Sequence, residues 1–62
     1  MEPGTLLRTA RERAGLSQSE LARRSGVAQS VVSAYEAGKR QPALPTLSKL
    51  IAATGHTLAM NL

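Results

Sequence analysis

SQSELARRSGVAQSVVSAYEAG, residues Ser17 to Gly38, carries the start and stop signals of two short helices in succession. Ser17 followed three positions later by Glu20 has the pattern of a capping box, in which each side chain takes up a backbone amide that the first helical turn leaves free. Gly26 stands where a short helix starting at Ser17 has to stop, and glycine adopts the left-handed conformation that such a stop needs. Between these signals Leu21 and Ala22 form an apolar face. Val27 continues that face beyond the glycine, and Val32 and Tyr35 extend it along a second helix that ends at Gly38. Ala22 is small where two helices must cross closely. The stretch therefore reads as two short helices joined by a tight turn, a helix-turn-helix arrangement.

Upstream, Glu2 and Pro3 bring negative charge and a fixed φ to a helix start, with Gly4 or Thr5 as the expected cap. This first helix runs to about Ala14 on an apolar stripe of Leu6, Leu7, Ala10 and Ala14, and Arg11 interrupts the stripe four residues after Leu7. Gly15 closes it, and Leu16 drops into the core just before the Ser17 cap. The second motif helix repeats the oddity, because Glu36 follows Val32 by four and lies on the buried side beside Tyr35. Opposite charges on two apolar stripes of so small a core are most economically explained by an Arg11–Glu36 ion pair, the alternative being two side chains that reach solvent separately. Downstream, Pro42 stops extension and Pro45 fits only the first turn of a helix. A fourth helix is expected from Leu44 to Thr54, burying Leu47, Leu50, Ile51 and Ala53, with Gly55 as its end.

These residues carry a resemblance. Gln18-Ser-Glu-Leu-Ala22 with Gly26, Val32 and Glu36 resembles the phage-repressor/Cro-like (XRE-type) helix-turn-helix family. The likeness continues upstream through Arg11-Glu-Arg-Ala-Gly-Leu-Ser-Gln18 and downstream through Gly38-Lys-Arg-Gln-Pro42, Leu47, Leu50 and Gly55, so it spans roughly residues 4 to 55. It implies an all-α, lambda-repressor-like bundle of four to five short helices. It also implies the Arg11–Glu36 pair, and a DNA-backbone role for Gln18. One departure is visible: the family usually has a Ser or Thr cap where this chain has Ala28, so the second motif helix should start less firmly, by about 1 kcal/mol.

Composition sets the outer limits. The 62 residues allow one domain, and a chain this short buries too little surface to be comfortably stable alone, so a partner would help. Eight Lys and Arg against four acidic residues give a net charge of +4, the footprint of a protein that meets a polyanion. The chain has no cysteine, which removes disulfides and thiolate metal ligands and suits a reducing compartment. No apolar run is long enough for a membrane span or a signal-peptide core, so the expected location is the cytoplasm, with no membrane partner. With one tyrosine as its sole aromatic, the chain lacks the stacking platforms of single-strand binders, which favours duplex DNA over RNA. No nucleophile–base–orienter set and no glycine-rich phosphate loop occurs. His56 has no second ligand nearby, so neither enzyme chemistry, a metal nor another cofactor is expected.

The outward face of the second motif helix carries Ala28, Gln29, Ser30, Ser33, Ala34 and Ala37, short or amide side chains without a carboxylate. Solvated faces usually carry Lys and Glu. Small residues let a helix backbone approach the floor of the major groove, and Gln29 offers the donor and acceptor together that adenine requires. Base readout is therefore assigned to Ala28, Gln29, Ser30 and Ser33. Phosphate contacts are assigned to Gln18, at the positive end of its helix, and to Lys39 and Arg40 beside the groove.

In the tail, Leu58, Met60 and Leu62 alternate with Thr57, Ala59 and Asn61, a period of two rather than 3.6. Residues 1–55 are thus expected to form the helix-turn-helix domain, and residues 56–62 a strand that pairs with the same strand of a second copy, or else a short fifth helix. The functional expectation is a dimeric, sequence-specific regulator of transcription, most simply a repressor on an inverted repeat. An antitoxin, whose main partner is a toxin protein and whose DNA binding is autoregulation, is the alternative.

Overall fold

A computed structural model describes residues 2–56, and its elements follow from local chemistry at their ends. Helix α1 spans Pro3–Arg13, α2 Gln18–Ser25, α3 Gln29–Glu36 and α4 Leu44–Ala53. Among the described residues the fold is all-helical. The tail residues Leu58, Met60 and Leu62, and with them the choice between a strand and a fifth helix, lie outside the described residues.

At α2 both halves of the capping box form: the Glu20 amide donates to Ser17 Oγ and the Ser17 amide to Glu20 Oε1, each at 3.0 Å. Gly26 ends the helix with φ 75° and donates to the Ala22 carbonyl. A different closure ends α1 and α3. Leu16 donates back to Arg11 O and Gly15 to Glu12 O, while Lys39 donates to Ala34 O and Gly38 to Tyr35 O, the paired bonds of a Schellman motif. The two glycines take φ 72° and 75° to make these reversals.

The start of α1 differs from the expectation. Glu2, not Gly4 or Thr5, is the cap residue, because Pro3 occupies the first helical position and forces the residue before it into the extended conformation (φ −64°, ψ 142°). Gly4 has another use. It is buried where α1 crosses α3, and a Cβ there would overlap the carbonyl oxygen of Tyr35.

Helices α1 and α2 each pack against both α3 and α4. Leu7, Leu21, Val32 and Leu50 are fully buried, with Ala10, Tyr35, Leu47 and Ile51 around them and Ala22, Val27, Val31 and Ala53 at the margin. Each fully buried aliphatic side chain contributes about 1.5–3 kcal/mol, so four helices of at most 11 residues are held mainly by this shared core rather than by intrinsic helicity. Leu16 is buried at the α1–α2 turn, as the closure of α1 places it. Two polar residues are buried as well. Ser25 Oγ donates to Ala22 O and accepts the Val27 amide, and Thr54 Oγ1 donates to Ile51 O at 2.6 Å and lies 3.0 Å from His56 Nδ1. Since the single Thr54 proton goes to the Ile51 carbonyl, the proton between Thr54 and His56 belongs to Nδ1.

Candidate nucleic-acid interface

Because α3 buries Val32 and Tyr35, its opposite side must face solvent. Gln29, Ser30, Ser33 and Ala37 are all exposed, and at 3.6 residues per turn they fall within an arc of about 100°. Ala28, also exposed, is the cap residue; its carbonyl accepts from the Val31 and Val32 amides, but it has no side-chain acceptor to offer the first turn of α3. Ala34 is half-buried at the border of the arc. No carboxylate projects from this surface. The nearest one, Glu36, is turned inward, its side chain only 4% exposed.

Glu36 meets Arg11 in a two-pronged pair. Arg11 Nε donates to Glu36 Oε2 at 2.7 Å and Nη2 to Oε1 at 2.9 Å, while Nη1 donates to Leu16 O at 2.8 Å. These hydrogen bonds, with the carboxylate charge, raise the Arg11 pKa above its ordinary value despite partial burial. The pair removes an isolated negative charge from the edge of the α3 surface. Gln18, the first residue of α2, joins it: its Nε2 donates to Glu36 Oε1 at 3.2 Å.

The cations that follow α3 are both exposed. Among the described residues Lys39 is held through its backbone alone. Arg40 is held further, its guanidinium carbon 5.7 Å from the centre of the Tyr35 ring, a cation–π distance. No local sequence signal announces that stack, since the two residues are brought together by the reversal at Gly38. Arg8 pairs with Glu12 at 3.6 Å in the open, worth little to stability. The structure thus brings Arg11, Glu36 and Gln18 into one cluster and lays Gln29, Ser30 and Ser33 on one open face, with Lys39 and Arg40 in the loop that follows the same helix.

A helix-turn-helix family model matches residues 7–59, most of the chain. The protein belongs to the XRE-type helix-turn-helix family. Similar proteins carry the same family in their names. The chain is 43% identical over 52 residues to an uncharacterized HTH-type transcriptional regulator of Haemophilus influenzae, covering 84% of this chain and 53% of the relative. It is 44% identical over 50 residues to one from Archaeoglobus fulgidus, covering 81% and 22%. The HTH-type transcriptional regulator PuuR of Escherichia coli is 39% identical over 59 residues, 95% of this chain and 32% of PuuR. The chain therefore spans about half the length of these helix-turn-helix relatives or less. No solved structure matches it at the same level of significance. Among the described residues, this helix-turn-helix chain has no cluster of His, Asp or Glu that could hold a metal, and no helix long and apolar enough to cross a membrane.

Proposed function

We propose that this helix-turn-helix domain regulates transcription by binding duplex DNA, with α3 in the major groove. The observation that carries the reading is the outer arc of α3: Gln29, Ser30 and Ser33 exposed on one side, free of carboxylates, on a helix whose inner side is locked into the core. Small side chains let the backbone approach the base edges, and the Gln29 amide matches the N6 and N7 edge of adenine. Gln18, Lys39 and Arg40 then contact phosphates on either side of the groove. Names of the relatives, all HTH-type transcriptional regulators, support the same class of function.

In this reading the chain acts as a homodimer and a repressor on an inverted repeat. The support is the alternation of Leu58, Met60 and Leu62 in the sequence, which suits a strand shared between two copies. A two-fold axis would then set two α3 helices about 34 Å apart, one turn of DNA.

Selection of bound duplexes from a random library, followed by salt titration of the winner, tests this function. The expected outcome is an inverted repeat, bound with a log–log salt slope of about −5 to −9 for three to five phosphate contacts per subunit. A flat salt dependence, or no enriched sequence, would overturn the reading.

A further inference from the structure

Glu36 has more hydrogen-bonding partners than its ion pair requires. Arg11 alone places one donor on each carboxylate oxygen, at 2.7 and 2.9 Å, yet Oε1 also takes the Gln18 amide at 3.2 Å. Gln18 belongs to a different element from both members of the pair. It is the first residue of α2, immediately after the Ser17 cap, and half-buried. The cluster therefore ties α1, the α1–α2 turn at Leu16, the start of α2 and the last residue of α3 to one carboxylate.

The orientation of the Gln18 amide follows from this contact. A carboxylate bound by two guanidinium N–H groups can only accept, so the NH2 end of Gln18 must face it. One N–H is used on Glu36. The second, fixed in the same plane at about 120° to the first by sp2 geometry, has no partner among the described residues. An unanchored glutamine would have to be immobilised on meeting DNA, which costs affinity, and it could equally present its carbonyl oxygen, which a phosphate repels.

We infer that Glu36 is a positioning residue for the DNA backbone: it orients the Gln18 amide so that an N–H, not the carbonyl, meets a phosphate at the start of α2. This rests on the DNA reading above. The Arg11–Glu36 pair thereby has a role in binding that is separate from its role in the fold.

The test separates the two. Because a lone Glu36 variant leaves Arg11 unpaired, the informative chain is the double replacement Arg11→Met with Glu36→Leu, in which apolar groups of similar size replace both partners. Circular dichroism verifies its fold, and Glu36→Gln provides a second variant that keeps an acceptor for Arg11. Binding to mixed-sequence duplex DNA is measured as a function of salt. Gln18→Ala should raise the Kd about tenfold per subunit and leave the salt slope unchanged, because a neutral amide hydrogen-bonds a phosphate without releasing a counterion. The folded double variant should show the same rise in Kd, and adding Gln18→Ala to it should raise it no further. Side-chain 15N relaxation of the Gln18 amide in the free protein reads the anchor without DNA, and should change from rigid to mobile in the double variant. Retention of the wild-type Kd by a folded double variant would overturn the proposal, as would a Gln18 amide equally mobile in both proteins. If wild type fails to bind duplex DNA while the relaxation data show the anchor, the DNA reading falls and the positioning role falls with it; a mobile amide beside normal DNA binding removes the positioning role alone.

Discussion

The two sides of α3 are built on opposite rules. Inward, Val32 and Tyr35 are buried and Glu36 is held by three donors from two other helices, so each group has one arrangement. Outward, Gln29, Ser30 and Ser33 have no described partner holding their side chains, and Ala28 offers the helix start no side-chain cap. One helix thus carries a carboxylate held by three donors on its inner side and polar side chains without a described partner on its outer side. Helix α3 is therefore positioned by its neighbours rather than by its own stability. Substitutions on the inner side should change folding, and those on the outer side recognition.

The largest expected effect lies inside. Glu36→Ala leaves Arg11, 13% exposed, without its carboxylate partner and should destabilise the fold by about 3 to 5 kcal/mol in denaturant titrations; a loss under about 1 kcal/mol would mean the pair behaves as a surface one. Next comes the α1–α3 crossing. Gly4→Ala puts a methyl group into the Tyr35 carbonyl, and the shift it forces should cost about 1 to 3 kcal/mol by thermal unfolding, against the usual stabilising direction of this exchange within a helix.

A smaller effect sharpens the contrast between the two helix starts. Ser17→Ala removes the hydroxyl that caps α2 and should cost about 1 kcal/mol, whereas Ala28→Ser should stabilise α3 by a similar or smaller amount. The capping box also has a pH signature. The Ser17 amide, bonding to the Glu20 carboxylate, holds that group below its ordinary pKa. A depressed carboxylate contributes its stability in full above the ordinary glutamate range and loses it as pH falls through the lowered value. The stability advantage of wild type over Glu20→Gln should therefore shrink on acidification, read as converging melting temperatures.

Much of this was legible in the sequence because the signals are local. Ser17 with Glu20 names the start of α2, Gly15, Gly26 and Gly38 name three helix ends, and Arg11 and Glu36 stand out as charges on apolar stripes. What could not be read depends on where other elements come to lie. Gly4 looks like a cap residue until α3 is brought against it, and only then does its lack of a Cβ matter, because it lets the Tyr35 carbonyl approach. Ser25 looks like a polar residue in the last turn of α2, but its hydroxyl bridges Ala22 and Val27 under the turn. Gln18 could be placed at a helix start, while the direction of its amide is decided by a carboxylate 18 residues away. Likewise the Arg40 stack on Tyr35 exists only after the reversal at Gly38.

Whether the outer side of α3 reads bases is decided by comparing the duplexes selected by wild type and by Gln29→Ala. Gln29 is exposed, so its loss should leave the fold and its melting temperature unchanged. Preference should relax at one base pair in each half-site, with the remaining positions retained, while Lys39→Ala should weaken binding to all sequences alike. If Gln29→Ala selects the same sequence as wild type with the same strength at every position, α3 does not read bases through this face and the assignment is contradicted.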